Sequence, residues 1–159
     1  MLQKHQKQSL WIVFDKSRQT INELREIIRE EPSPWRMRIN AGAGKLLGDL
    51  YMSIERIIRL FIEDVFGEKI VKDESWHTRL IESGKAKGLL PECIGEVMRQ
   101  MKNFRHRMIH GYGIEMDEEK LRVAIPEAIA AYEKVEAHIR AKFPELDEKL
   151  PAAESADNR

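Results

Sequence analysis

The chain is poor in cysteine. Cys93 is the one thiol in 159 residues, so no intrachain disulfide can form and the fold must rest on its apolar core. That usage fits a reducing compartment. Long apolar runs are also missing. Nothing approaches the ~18 residues a membrane helix needs, and the first apolar run, Leu10 to Phe14, falls short of the ~7–15 residues of a signal-peptide core. We therefore expect a cytoplasmic protein without a membrane partner. Charge of one sign is lacking too, since 27 Lys plus Arg balance 27 Asp plus Glu. A protein that coats nucleic acid by bulk attraction is basic, so any such contact here must come from a local patch. No stretch alternates apolar and polar residues as a half-buried strand does, and no repeat or low-complexity tract occurs.

What is present is helical spacing almost throughout. Leu10, Phe14, Ile21, Leu24, Ile27 and Ile28 define a first helix over residues 9–30, and Pro32 and Pro34 end it. A long second helix follows over 35–66, with a stripe from Leu46 to Val65 and Gly67 as C-cap. Gly42, Gly44 and Gly48 weaken its first half. Asp73 caps a short helix over 75–83 closed by Gly84. Pro91 suits the first turn of a fourth helix, which ends at His110-Gly111. Asp117 opens a last helix, in which Pro126 predicts a break or kink before a continuation to Phe143. The expectation is an all-α protein, a single up-down bundle of about five helices, with residues 1–143 as the domain and 144–159 as a polar tail, loose over its last residues.

The fourth helix holds the most informative pattern. At 100° per residue, Ile94, Val97, Met101, Phe104 and Met108 form one core stripe, while Arg99, Asn103, His106 and His110 fall within about 60° on the other side. Arg105 sits about 140° from His110 on a straight helix. The two can converge only where the helix unwinds at Gly111, or across two copies of the chain. Between Cys93 and Tyr112 the cations are Arg99, Lys102, Arg105 and Arg107 against the single acid Glu96, a local net of 4 − 1 = +3. Two readings stay open: a phosphate-facing patch and a solvated polar face.

Other signals carry less. His106-x3-His110 has zinc-ligand spacing, but the Glu of H-E-x-x-H and a third ligand are missing. Gly42-Ala43-Gly44-Lys45 has Ile39 and Leu46 where a phosphate loop needs Gly and Ser or Thr. Trp11, Trp35 and Trp76, like Met98, Met101 and Met108, are read as core or interface residues. Glu63-Asp64 and Asp73-Glu74 lie near helix ends and are read as solvated or capping groups. We expect neither metal nor cofactor.

Arg105-x4-His110 alone is weak, because chance yields roughly 0.4 such pairs in a chain of this composition. Requiring Tyr112 two residues on cuts the expectation to about 0.01. The stretch Asn103-Phe104-Arg105-His106-Arg107-Met108-Ile109-His110-Gly111-Tyr112 resembles the signature of HEPN domains, and most closely that of HepT-type toxins. There an Arg precedes a His by four to six residues near a helix end, and x-Tyr follows. The helix from Tyr51 to Phe66, the Trp76-His77 pair and the Asp117-to-Leu121 start are similar to that family as well, so the resemblance spans about residues 40–143. His106 stands where Asn is commoner.

The resemblance implies a homodimer with facing motifs and metal-independent RNA cleavage. His110 would be the acid/base, Arg105 the charge stabiliser and His106 an assistant; on the phosphate-facing reading of the local charge, Arg99, Lys102, Asn103 and Arg107 would contact RNA phosphates. The chemistry is sound on its own terms: the ribose 2′-hydroxyl is a built-in nucleophile, imidazole titrates near neutrality, and a guanidinium holds phosphorane charge bidentately. The resemblance further implies a nucleotidyltransferase antitoxin that adenylylates Tyr112. An anchoring role for that ring stays open beside it. The competing function is a catalytically inactive antitoxin or nucleotidyltransferase-binding partner on the same fold. A third possibility is a helical assembly module without chemistry.

Overall fold

The computed structural model describes residues 1–109 and 117–147, without the side chains of residues 105 and 107–109. It is all-α, with five helices and no strand among the described residues. They are α1 (Lys4–Glu30), α2 (Met37–Leu60), α3 (Trp76–Ala86), α4 (Gly95–Ile109) and α5 (Glu118–Lys142). The central element is α2, which packs against each of the other four. The reason is in its sequence: Leu47, Leu50, Ile54, Ile57 and Ile58 recur at helical spacing and are all fully buried, an apolar stripe that several partners must cover.

Several boundaries differ from the periodicity, each for a physical reason. Helix α1 begins at Lys4, not residue 9. Its first turn carries no apolar stripe, but Gln6 Oε1 accepts the Gln3 N–H at 2.8 Å and Gln6 Nε2 reaches the Asp64 carbonyl at 2.6 Å. Leu2 is buried, and its N–H donates to Glu145 Oε1 at 3.0 Å. Tertiary bonds thus hold a turn that hydropathy does not mark. Helix α2 passes into a π-helical turn, Phe61–Val65, which keeps the adjacent Phe61 and Ile62 both buried. Gly67 follows with φ +69°, as expected of a C-cap.

Gly84 does not close α3. It lies inside the helix and is buried against Ile58. Closure falls to Gly88 at φ +63°, where the Leu89 N–H returns to the Gly84 carbonyl at 2.8 Å, a Schellman cap. Ser75, not Asp73, is the N-cap of α3, and Asp73 Oδ1 accepts the Ser75 N–H one step earlier. Pro91 precedes a 3₁₀ turn, Glu92–Ile94, and α4 proper starts at Gly95.

Pro126 does not break α5, which runs without interruption from Glu118 to Lys142. The proline is exposed, so the Arg122 carbonyl it leaves without a helical partner lies on the outer side of the helix. Ile125, Ala128, Ile129 and Tyr132 meanwhile clamp the inner face to the core. Asp117 caps this helix as expected, accepting the Lys120 N–H at 2.8 Å. Glu118 binds the Trp35 N–H at 2.6 Å and Arg122 Nε at 2.7 Å, which ties the start of α5 to the segment before α2.

Candidate functional site

Helix α4 is held against α2 by a short apolar set. Ile94, Met98 and Met101 are buried. Phe104 is half-buried and meets buried Tyr51 edge-on, with ring centroids 5.5 Å apart at 72°. A Cβ at Gly48 would stand 3.5 Å from the Phe104 ring, an ordinary van der Waals contact, and α2 runs through this glycine without interruption. Burial and the Glu127 charge push the Tyr51 hydroxyl up to about 12, so it stays a neutral core group.

The opposite face is polar as the helical projection requires: Arg99, Lys102, Asn103 and His106 are all exposed. Arg99 Nη2 donates to Glu96 Oε2 one turn back. That bond, more than the charge itself, holds the Glu96 carboxyl below its usual range. Lys102 Nζ donates to Thr78 Oγ1 on α3 at 3.3 Å.

Arg105 and Arg107 lie on α4 by their backbone, and their side chains are outside the described part of the structure. His110 and Tyr112 are outside the described residues altogether.

The structure adds what the linear pattern did not contain. Helices α2, α3 and α4 enclose a groove of about 260 Å³ lined by Glu55, His77, Thr78, Lys85, Arg99 and Lys102. His77 Nδ1 meets Glu55 Oε1 at 2.9 Å, and the Trp76 ring packs on the imidazole with centroids 3.6 Å apart. Glu55 of α2, His77 and Lys85 of α3, and Arg99 and Lys102 of α4 lie on three separate helices and come together only through packing. No local spacing could have announced them, although Trp76-His77 is part of the family resemblance.

Among the described residues no three His, Cys, Asp or Glu side chains cluster as a metal site would require. Nor is any described helix long and apolar enough to cross a membrane. Glu63 pairs with Arg59 and Asp73 with Arg79.

Residues 42–146 match a protein-family model described as HepT-like protein. No curated protein and no solved structure matches the chain.

Proposed function

The chain belongs to the HepT-like family, and on that premise we propose that it is a metal-independent endoribonuclease, the toxin of a toxin–antitoxin pair. The observation that carries the reading is the full string Arg105-x4-His110-x-Tyr112 inside the matched span. It stands beside a face of α4 that exposes Arg99, Lys102, Asn103 and His106. In this reading the ribose 2′-oxygen attacks phosphorus while an imidazole, that of His110, takes its proton. The P–O5′ bond breaks, and a second imidazole, supplied by the facing motif of a homodimer, protonates the leaving O5′. The products are a 2′,3′-cyclic phosphate and a 5′-hydroxyl. The Arg105 guanidinium balances the charge that gathers on the phosphorane oxygens, and His106 assists.

The same reading gives Tyr112 a regulatory part. A partner nucleotidyltransferase transfers AMP to its hydroxyl, and the anionic adduct keeps RNA phosphates out by repulsion and bulk.

Expression alone in a bacterial host tests the toxin against the inactive-partner alternative. Growth arrest that His110→Ala relieves supports the toxin; harmlessness of the unaltered chain overturns it. Intact mass of the protein made with and without an active nucleotidyltransferase partner tests Tyr112, and absence of an adenylyl increment opposes the modification.

A further inference from the structure

The groove between α2, α3 and α4 borders α4 on the N-terminal side of Arg105, and its chemistry is not explained by the cleavage step. Lys85 approaches from α3, and Arg99 and Lys102 from α4. Lys85 is exposed and makes no ion pair among the described residues. Lys102 donates to a neutral hydroxyl, that of Thr78, which leaves its charge uncancelled there. Arg99 shares its charge with Glu96. Of the two acids on the lining, Glu55 and Glu82, Glu55 is engaged by His77. His77 lines the groove, its ring packed on that of Trp76 and its Nδ1 bonded to Glu55.

We propose that this groove is a subsite for a nucleotide of single-stranded RNA flanking the one that is cut, with Lys85, Lys102 and Arg99 on its phosphates and the imidazole of His77 against its base. The inference rests on the ribonuclease reading and extends it to the substrate: a strand that continues beyond the scissile phosphate. On α4, Lys102 and Arg99 lie about 4.5 Å and 9 Å along the axis from Arg105, one and two turns toward the N-terminus of the helix. Its volume of about 260 Å³ lies below the ~300–1,000 Å³ of sites that enclose a whole small ligand. It therefore suits one segment of a longer ligand. Cations flanking a ring face are how single strands are held without reading sequence. An acidic peptide would use the same cations but has no base to lay on His77.

Fluorescence anisotropy with labelled 2′-O-methyl oligonucleotides, which lack the nucleophile, tests this on the full chain at several salt concentrations. The ten-nucleotide strand should bind several-fold more weakly to Lys85→Ala and to Lys102→Ala. Each should also flatten the salt slope by about 0.7 per lost phosphate contact. A two-nucleotide strand should not distinguish these variants from the unaltered chain. His77→Ala should weaken the ten-nucleotide strand at least about fivefold, the lower end for loss of a stacked base, and circular dichroism reports whether it has folded. Unaltered affinity and slope in Lys85→Ala overturn the subsite, as does complete competition by polyglutamate at equal charge. Cleavage by the unaltered chain, measured alongside, separates the two claims. Cleavage that persists while Lys85→Ala binds normally sinks the subsite alone. Binding that depends on Lys85 without any cleavage sinks the nuclease and keeps the groove.

Discussion

Glu55 on α2 and His77 on α3 meet carboxylate to imidazole at 2.9 Å, with 14% and 22% of their side chains exposed. The contact pins the start of the short α3 to the central helix and sets one wall of the groove. Replacing His77 by alanine removes that bond together with the Trp76 ring contact. We expect a loss of about 1 kcal/mol, the net worth of one intramolecular hydrogen bond, read as a lower urea midpoint with the same m-value. An unchanged midpoint would show that α3 is held by its apolar side alone.

Two glycines should respond to alanine with opposite signs. A Cβ at Gly84 would stand 2.8 Å from Ile58 Cγ2, and Ile58 is fully buried with a χ1 that helices fix strongly. Overpacking of about 1–3 kcal/mol exceeds the helix-propensity gain of about 1 kcal/mol, so Gly84→Ala should destabilise. At Gly42 nothing stands within 4 Å of the added carbon, and Gly42→Ala should gain up to about 1 kcal/mol. Thermal denaturation of both variants checks the pair, and stabilisation by Gly84→Ala would contradict the packing described here.

Gly84 also shows why the sequence was only partly legible. As a residue type it reads as a stop signal, yet close helix packing needs a small side chain in mid-helix just as much. Pro126 marks no break in α5, because on an exposed face the carbonyl it frees is open to solvent. By contrast, helix number and class followed from stripes such as Ile54, Ile57, Ile58 and Phe61, all buried, because burial and periodicity have one cause. The exposed Arg99, Asn103 and His106 followed from the same arithmetic. The groove did not, because Glu55, His77 and Lys102 become neighbours only when three helices pack.

Glu118 predicts a specific acid response. Its carboxyl is held below the usual carboxylate range, first by the Trp35 N–H, then by Arg122 and Ser33. A depressed folded-state value means the contribution is complete above the ordinary value of 4.5 and fades as pH falls through the folded value. Glu118→Gln should therefore lower the melting temperature at pH 7, and the difference should shrink as pH falls below 4.5. A difference that persists undiminished at low pH would show that the effect is not electrostatic.

Glu96 restrains the basic face, since its carboxylate takes a guanidinium N–H from Arg99. Glu96→Gln raises the local net charge from +3 to +4 and frees Arg99 for phosphate. We expect tighter binding of a single-stranded oligonucleotide and a steeper salt slope, by up to about 0.7. Weaker binding would show that Glu96 positions Arg99 rather than masking it.

The ribonuclease proposal meets its most direct test in single-turnover cleavage of end-labelled RNA with excess chelator present. Unaltered protein, His110→Ala and Arg105→Ala should be purified by one protocol. The unaltered chain should cut the RNA and leave a 2′,3′-cyclic phosphate. His110→Ala should fall by about 10²–10⁴, the usual contribution of a positioned acid/base, and Arg105→Ala by a comparable factor. Equal cleavage by all three proteins, or cleavage by none, would contradict it.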